Sequence, residues 1–579
     1  MLDRARFLVV PATLALPFLV ACGGTTGPSA DMGSAPDDGP EIPEVDLGPG
    51  EEPDVCEQEG LPRAAFRAGA GTVFGEVAGD FTVRTLEGPW QLSESFSGCE
   101  SYVFITYIPD LRQSPIGPWQ GDEMWDTYPD DLFRIGPRNV RYFFSSFEAS
   151  EVRRRERMEA MRDNVAEGLE VFVDDEEDRA FWRERFHYVT DRVTEIEGSV
   201  GAMVDSYFAY LGTEEALTDL GDRGVVQAPL PFAFGIDREQ RFDAGGSLSP
   251  VVGATLEMGM AAYFGHFYNA KAELAERLAA EEATTTVVPL LEDTVTDRVF
   301  VEAVTLPDAA TMAAFDTLEV EVEVECTARS PFECSEWDRI ARVEVCLAAE
   351  CAERREVVRW ITPYWRRGRR HWSIDATPML GLLLEGGERT FRIEMGPSWE
   401  RATPRRARIA LRLGDRDREQ KPVATVPAFG GGRFDETYND REPVAFTPPA
   451  DAGRVELVVI LSGHGDDDVS RCAEWCDHRH EFAVNDAPLD RIAHGGEVGT
   501  TAGCALRADE GIPPGQWGNW APERAFWCPG LPVDAIRIDI TDRVTLGQEN
   551  TLTYAGGVGP SSTPGGGNIS LSSYLVYYR

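Results

Sequence analysis

From about residue 286 the chain changes its hydrophobic period. Leu318-Glu319-Val320-Glu321-Val322-Glu323-Val324-Glu325-Cys326 carries an apolar residue at every second position. That is the period of a strand with one face turned into a core, and a helix would scatter the same residues around its whole circumference. Comparable segments follow at 343–347, 357–361, 390–393, 407–413, 455–461, 536–540 and 570–578, separated by Gly, Pro and Asp. Such a density of strands predicts β-sandwiches or jelly rolls. The roughly 290 residues involved are too many for one sandwich and suit two. Phe429-Gly430-Gly431-Gly432-Arg433 marks the expected boundary, giving domains at 286–428 and 429–579. Ile374-Asp375-Ala376-Thr377 and Ile538-Asp539-Ile540-Thr541 close two of the strands in the same way, which suggests that the two domains are related.

Residues 56–285 read differently. Tyr102-Val103-Phe104-Ile105-Thr106-Tyr107 is a continuous apolar run, as a buried central strand requires. Asp80-Phe81-Thr82-Val83-Arg84-Thr85-Leu86-Glu87-Gly88 reads as a strand and turn. Residues 151–169 and 252–283 have helical patterns, and Phe232-Ala233-Phe234-Gly235-Ile236-Asp237 is a further strand that returns at Gln240-Arg241-Phe242. The opening strand-turn, the buried strand and Pro231 before Phe232 resemble the thioredoxin-like fold, which has a cis-proline at that place. A redox member needs a reactive cysteine just after the buried strand, and Ile108-Pro109-Asp110-Leu111-Arg112 has none. The expectation is an α/β domain without redox activity.

The 579 residues carry a net charge of −44 with 42% hydrophobic content. Nucleic-acid binding, which needs a basic footprint, is excluded. Arg4, Arg6 and the apolar run 7–21 read as a signal peptide too short to span a bilayer. It ends in Leu19-Val20-Ala21-Cys22, which resembles a lipoprotein cleavage box. Cys22 is then the lipidated N-terminus, and Gly23 after it favours the outer membrane; plain secretion is the alternative. Residues 22–55, rich in Gly, Pro and acid, read as a flexible tether. Ten further cysteines in an exported chain suggest disulfides. Their order suggests Cys56–Cys99, Cys326–Cys334, Cys346–Cys351, Cys472–Cys476 and Cys504–Cys528. Sequence leaves that connectivity open, and metal ligation by Cys472 and Cys476 is a second reading.

One phrase occurs twice: Cys334-Ser335-Glu336-Trp337-Asp338-Arg339 and Cys472-Ala473-Glu474-Trp475-Cys476. Each places carboxylates beside an indole and a cysteine, as two halves of one site would. Together with Ile361-Thr362-Pro363-Tyr364-Trp365 and Asn519-Trp520-Ala521-Pro522-Glu523-Arg524-Ala525-Phe526-Trp527-Cys528-Pro529-Gly530, these phrases make residues 290–579 resemble the peptide-N-glycosidase F family. The resemblance implies two eight-stranded jelly rolls with the site at their interface. It implies a metal-independent amidase, needing no cofactor, that cuts the amide between an Asn side chain and N-acetylglucosamine. Its partners would be N-glycosylated proteins or peptides, met by a monomer that touches membrane only through its lipid. Asp338 matches the family's catalytic aspartate and Glu474 its glutamate. Arg524 and Trp527 match substrate-contacting residues, and Arg339 flanks the aspartate. Glu394, with Trp399, is the nearest match to a further glutamate and tryptophan, at longer spacing. Cys472–Cys476 and Cys504–Cys528 match family disulfides, and Cys326–Cys334 matches a third with a wider loop.

The chemistry fits those residue types. A carboxylate orients and deprotonates an attacking water, then returns the proton to the leaving nitrogen; Asp338 suits that role. Glu474 positions substrate or water and raises its neighbour's pKa by like charge. Arg524 stabilises developing oxyanion charge, while Trp337, Trp475 and Trp527 stack on sugar faces. His478 and His480 share one strand face, so copper or zinc ligation is a separate reading. The basic run Arg366-Arg367-Gly368-Arg369-Arg370-His371 favours either acidic glycans or internal ion pairs. A non-catalytic glycan-binding lipoprotein is the alternative function.

Overall fold

In the computed structural model the alternation of residues 318–326 becomes an inner strand of a four-stranded sheet. The structure describes residues 54–107, 125, 128–211, 233–246, 248, 257–296, 299–326, 337–364, 368–397, 405–465, 471–494, 498–516, 518–559 and 564–579. The signal peptide, Cys22, most of the tether, Pro231 and all of 108–112 lie outside them. No helix among the described residues is long and apolar enough to cross a membrane.

The N-terminal part is built on a five-stranded sheet. Its strands are β1 (Ser101–Tyr107), β2 (Val140–Ser146), β3 (Phe186–Arg192), β4 (Ala233–Ile236) and β5 (Phe242–Gly246), in the order β3-β2-β1-β4-β5. The first three are parallel, and β4 and β5 form an antiparallel hairpin against β1. Every residue of β1 is buried, as its unbroken apolar run requires. Helix α1 (Glu151–Phe172) turns Met158, Met161, Val165 and Leu169 inward at helical spacing. Helix α2 is Ala262–Glu281, preceded by a 3-10 turn at Met258–Ala261. It begins later than the pattern at 252 predicts, because Glu257 is extended. Cys56 and Cys99 are bridged beside β1.

Two sandwiches follow. The first has strands β6 (Thr285–Thr296), β7 (Val299–Asp308), β8 (Thr317–Cys326), β9 (Ile340–Cys346), β10 (Arg354–Ile361), β11 (Arg369–Asp375), β12 (Gly386–Glu394) and β13 (Arg405–Gly414). They form the sheets β11-β8-β13-β6 and β7-β12-β9-β10. Val320, Val322, Val343, Val345, Phe391, Ile393, Ile409 and Leu411 share its core. The glutamates on the other face of β8 are not simply solvated. Glu319 pairs with Arg277 of α2 at 2.9 Å, and Glu321 pairs with His371 at 2.8 Å and Arg412 at 2.9 Å.

The second sandwich has strands β14 (Pro422–Arg433), β15 (Val444–Phe446), β16 (Arg454–His464), β17 (His478–Val484), β18 (Ala487–Pro488), β19 (Ala535–Asp539), β20 (Asn550–Val558) and β21 (Asn568–Tyr578). Its sheets run β14-β21-β16-β19 and β15-β20-β17-β18, with Ile492–Ala493 also paired to β17. Taken in chain order, each strand of the first sandwich has a counterpart in the second at the same place in its sheet. The sequence echo is one corner built twice. The carboxylates of Asp375 and Asp539 accept from the amides of Thr377 and Thr541, both at 2.9 Å. The two threonine hydroxyls accept from Leu318 and Val455, at the start of β8 and β16.

The expected boundary at 429 moves. Phe429 to Arg433 is the end of β14, not a loop. The glycines absorb register shifts against β21, as bulges do, and a Cβ on Gly431 would strike the Ile569 carbonyl.

The sandwiches share one core. Val458, Ile460, Trp527, Val533, Tyr574 and Val576 of the second pack into the cluster of the first. At the junction Arg359 is fully buried. It makes two 2.7 Å bonds to the Glu356 carboxylate and donates, also at 2.7 Å, to Ser462 Oγ and the Ser570 carbonyl across the junction. Ser572 donates to Glu356 at 2.6 Å. Burial pushes the Glu356 carboxyl up, but Arg359, Arg342 and Ser572 pull harder and hold it below its ordinary 4.5.

Removing one partner of such a pair strands a buried charge. Arg359→Ala is expected to cost about 3–5 kcal/mol in urea unfolding, and the double change Arg359→Met with Glu356→Gln less. Because folding depresses the Glu356 pKa, its contribution is present above about pH 4.5 and disappears as pH falls through the folded value. Glu356→Gln is therefore expected to flatten the acid limb of the stability profile.

Candidate active site

Asp338 sits just before β9, where the strand ends are tied by Arg339 N donating to Thr362 Oγ1 at 2.8 Å and Thr362 N donating to Arg339 O at 2.9 Å. Glu474 sits just before β17, on the helical turn Cys472–Trp475. That turn is closed by the Cys472–Cys476 disulfide and entered through Arg471 at φ 41°. The cysteines are thus spent on a bridge, not on a metal. Since β9 and β17 are counterparts, the two copies of the repeated phrase lie on equivalent loops of the two sandwiches.

Close approach of the turn to the end of β16 needs glycine. A Cβ on Gly463 would enter the Ala473 carbonyl, and one on Gly465 would lie 2.7 Å from a Glu474 carboxylate oxygen. Without it, Gly465 N donates to Glu474 Oε2 at 3.0 Å.

Arg524 joins the halves. Its side chain has no exposure, against 12% for Asp338 and 18% for Glu474. Nε lies 3.4 Å from Glu474 Oε1 and Nη2 lies 3.8 Å from Asp338 Oδ2. The guanidinium also donates to the Pro522 carbonyl at 2.9 Å, to Tyr364 Oη at 3.1 Å and to the Asn519 carbonyl. It lies 4.7 Å from the Trp475 ring centre and 5.0 Å from that of Trp527, within cation–π range.

Burial raises the Asp338 carboxyl above its ordinary value, with Arg524 and Tyr364 opposing. Burial also raises Glu474, the Asp338 charge adds to the rise, and Arg524 opposes it. Two carboxyls with elevated proton affinity, held by one fixed cation, are equipped to take up and return a proton.

Of the residues singled out from sequence, Asp338, Glu474, Arg524, Trp475 and Trp527 come together here. Trp337 is half exposed, with the Arg339 guanidinium 5.9 Å from its ring centre. Trp527 departs from expectation. It is 3% exposed, donates to the Gly463 carbonyl at 2.6 Å and stacks on His464 at 4.9 Å. It underlies Arg524 and offers no open face to a sugar. Arg524 is likewise too deep for its broad face to meet solvent. Glu394 ends β12 in ion pairs with Arg392 at 2.8 Å and Arg342 at 3.7 Å, a structural role. Trp399, Cys334, Glu336, Trp365, Arg366 and Arg367 lie outside the described residues, so the Cys326–Cys334 pairing does too. Cys346–Cys351 and Cys504–Cys528 are bridged.

His478 and His480 form a hydrogen-bonded file instead of a ligand pair. His478 Nε2 meets the Ala473 carbonyl at 2.9 Å, its Nδ1 meets His480 Nε2 at 2.8 Å, and His480 Nδ1 meets Tyr554 Oη at 2.6 Å. All four ring nitrogens are engaged, and burial lowers the His478 pKa to about 4. The described part of the basic run forms internal pairs: Arg369 with Glu323, Arg370 with Asp243 and His371 with Glu321.

Sequence reasoning assigned no role to Tyr364 or His464. Tyr364 stood in a quoted motif, but only the fold brings its phenol to Asp338 and Arg524. His464 is the last residue of β16 and stacks on Trp527, with Nε2 2.8 Å from Ser462 Oγ.

A sandwich pair with a carboxylate on each of two equivalent loops is the class of site seen here. Residues 434–576 match the family model described as Peptide-N-glycosidase F, C terminal. The chain is 28% identical over 258 residues to Peptide-N(4)-(N-acetyl-beta-D-glucosaminyl)asparagine amidase F of Elizabethkingia miricola, spanning 42% of this chain and 69% of that one. Among solved structures it is similar to a peptide-N(4)-(N-acetyl-beta-D-glucosaminyl) asparagine amidase, at 23% identity and TM-score 0.41, covering 51% of this chain and 96% of the other. It is also similar to PNGase F, a glycosylasparaginase from Flavobacterium meningosepticum, at 23% identity and TM-score 0.39, covering 51% and 95%.

The electrostatics can be read without substrate. Asp338→Asn removes the like charge that raises Glu474, so carboxyl NMR is expected to show Glu474 titrating at lower pH. Arg524→Met removes the cation that lowers both groups, and both are expected to move up.

Proposed function

We propose that this protein hydrolyses the amide joining an asparagine side chain to N-acetylglucosamine in glycoproteins or glycopeptides, leaving aspartate on the polypeptide. The observation that carries this reading is the convergence of Asp338 and Glu474 on the buried Arg524. The similarity to amidases of that specificity agrees with it. Asp338 Oδ2 is buried and makes no hydrogen bond among the described residues, although it faces the Arg524 guanidinium at 3.8 Å; we read it as the oxygen that takes a proton from water.

In the step we envisage, water attacks the amide carbonyl carbon as Asp338 takes its proton, and a tetrahedral centre forms. The C–N bond then breaks, and the proton passes from Asp338 to the leaving nitrogen as glycosylamine departs. Arg524 keeps the two carboxylates apart and fixed, and Glu474 orients the water or the amide. Trp337 supplies an exposed indole for a sugar face. These roles need no metal or organic cofactor.

The rest of the chain is read accordingly. The sheet orders of the two sandwiches support reading both as jelly rolls. The β3-β2-β1-β4-β5 order supports a thioredoxin-like N-terminal fold. We also read the chain as a monomer attached to the outer membrane through lipid on Cys22, which radiolabelled-lipid incorporation lost in Cys22→Ser would test.

The test of function is incubation of the full chain with a denatured N-glycoprotein and mass analysis of both products. Intact glycan and Asp at the former Asn are expected, with kcat reduced at least about a hundredfold by Asp338→Asn in a folded protein. Binding without release would favour a glycan-binding protein, and a sugar left on Asn would mean cleavage between sugars. The rate should fall as pH drops through the raised Asp338 pKa.

A further inference from the structure

The hydrophobic core of the N-terminal unit does not end at its own boundary. It runs on from Val103, Tyr142, Phe264, Phe267 and Tyr268 into Cys504, Ala508, Ile512, Trp520, Ala521, Cys528 and Leu531 of the second sandwich's long loop. Helix α2 packs on the 3-10 helix Ala505–Glu510. At the end of β5, Gly246 meets Gly515 backbone to backbone, closely enough that a Cβ on Gly246 would enter the Gly515 carbonyl. A Cβ on Gly515 would in turn lie 3.1 Å from Phe264 Cζ and 3.4 Å from Gly246 N.

This loop is the one that holds the site. Trp520 and Ala521, fully buried in the N-terminal core, are flanked by Asn519 and Pro522. The carbonyls of those two flanking residues receive the Arg524 guanidinium. Next to Gly515, Gln516 accepts from Tyr364 N at 2.8 Å and donates to the Pro513 and Pro529 carbonyls at 2.9 and 2.8 Å. A second anchor fixes the unit to the first sandwich. Lys271 of α2 pairs with Asp237 and Asp243, and Asp243 with Arg370 of β11 at 3.0 Å.

We infer that the N-terminal α/β unit is a positioning part of the active site: β5 and α2 hold the 511–531 loop, and the loop sets Arg524 and Tyr364 against Asp338 and Glu474. The two sandwiches alone are then an incomplete enzyme. The kinetic side of this inference rests on the amidase reading, whereas the structural side does not.

The experiment uses the full chain with Gly246→Val, which displaces Gly515, and Phe264→Leu as a milder change. Glycan release and amide hydrogen exchange are measured on both. Displacing the loop is expected to lower kcat roughly tenfold to a hundredfold, with KM little changed. It should also move the acid limb of the rate profile upward as Arg524 withdraws from the carboxylates. A mere loss of folded protein would leave the limb in place. Exchange at the amides of Tyr364, Gly530 and Leu531 should quicken, while the β16 amides keep their protection. Unchanged kcat and unchanged exchange in both variants would overturn the inference. If the wild-type chain releases no glycan, the amidase reading falls and the exchange data alone decide the coupling.

Discussion

A guanidinium with no exposure to water must be satisfied from within, and Arg524 draws its partners from four segments of the chain. Two backbone carbonyls come from its own loop, a phenol from the end of β10, and a carboxylate from each sandwich. Leaving such a charge unpaired costs several kcal/mol, so the native arrangement of all five partners is favoured together. This is what turns two separate loops into one site. The carboxylates would otherwise repel each other, and their raised proton affinities show how incompletely one cation compensates two buried acids.

Beneath Arg524 the support is continuous. Trp527 carries the guanidinium on one face and His464 on the other, and His464 reaches Ser462, which receives Arg359. Arg359 in turn is locked to Glu356. The candidate site and the junction of the sandwiches are therefore one packed column. A shift in how the sandwiches meet cannot leave the carboxylate spacing unchanged, because no soft layer separates them.

Much of this was legible in the sequence where local pattern and tertiary role coincide. The period-two run at 318–326 gave its strand, the Ile-Asp-x-Thr echo gave a repeated corner, and cysteine order gave the bridges the structure describes. What failed did so for physical reasons. Gly430-Gly431-Gly432 has the composition of a loop, but glycine also serves wherever two backbones meet without room for a Cβ. Trp527 has the composition of a sugar platform, but its indole faces a histidine inside the core, and no local pattern distinguishes the two faces of a ring. Glu394 was only the nearest match to a family glutamate, at longer spacing, and its partners, Arg342 and Arg392, lie on its own sheet. Tyr364 went unassigned because its role depends on three elements far apart in the chain. The pairing of His478 with His480 depended on Tyr554, more than 70 residues on.

The repeated phrase now has a topological address. Asp338 and Glu474 both lead into the fourth strand of a sandwich with the same strand order. The two loops are thus equal in place and unequal in content: where the first carries Asp338 after its tryptophan, the second carries Cys476, which closes the turn that holds Glu474.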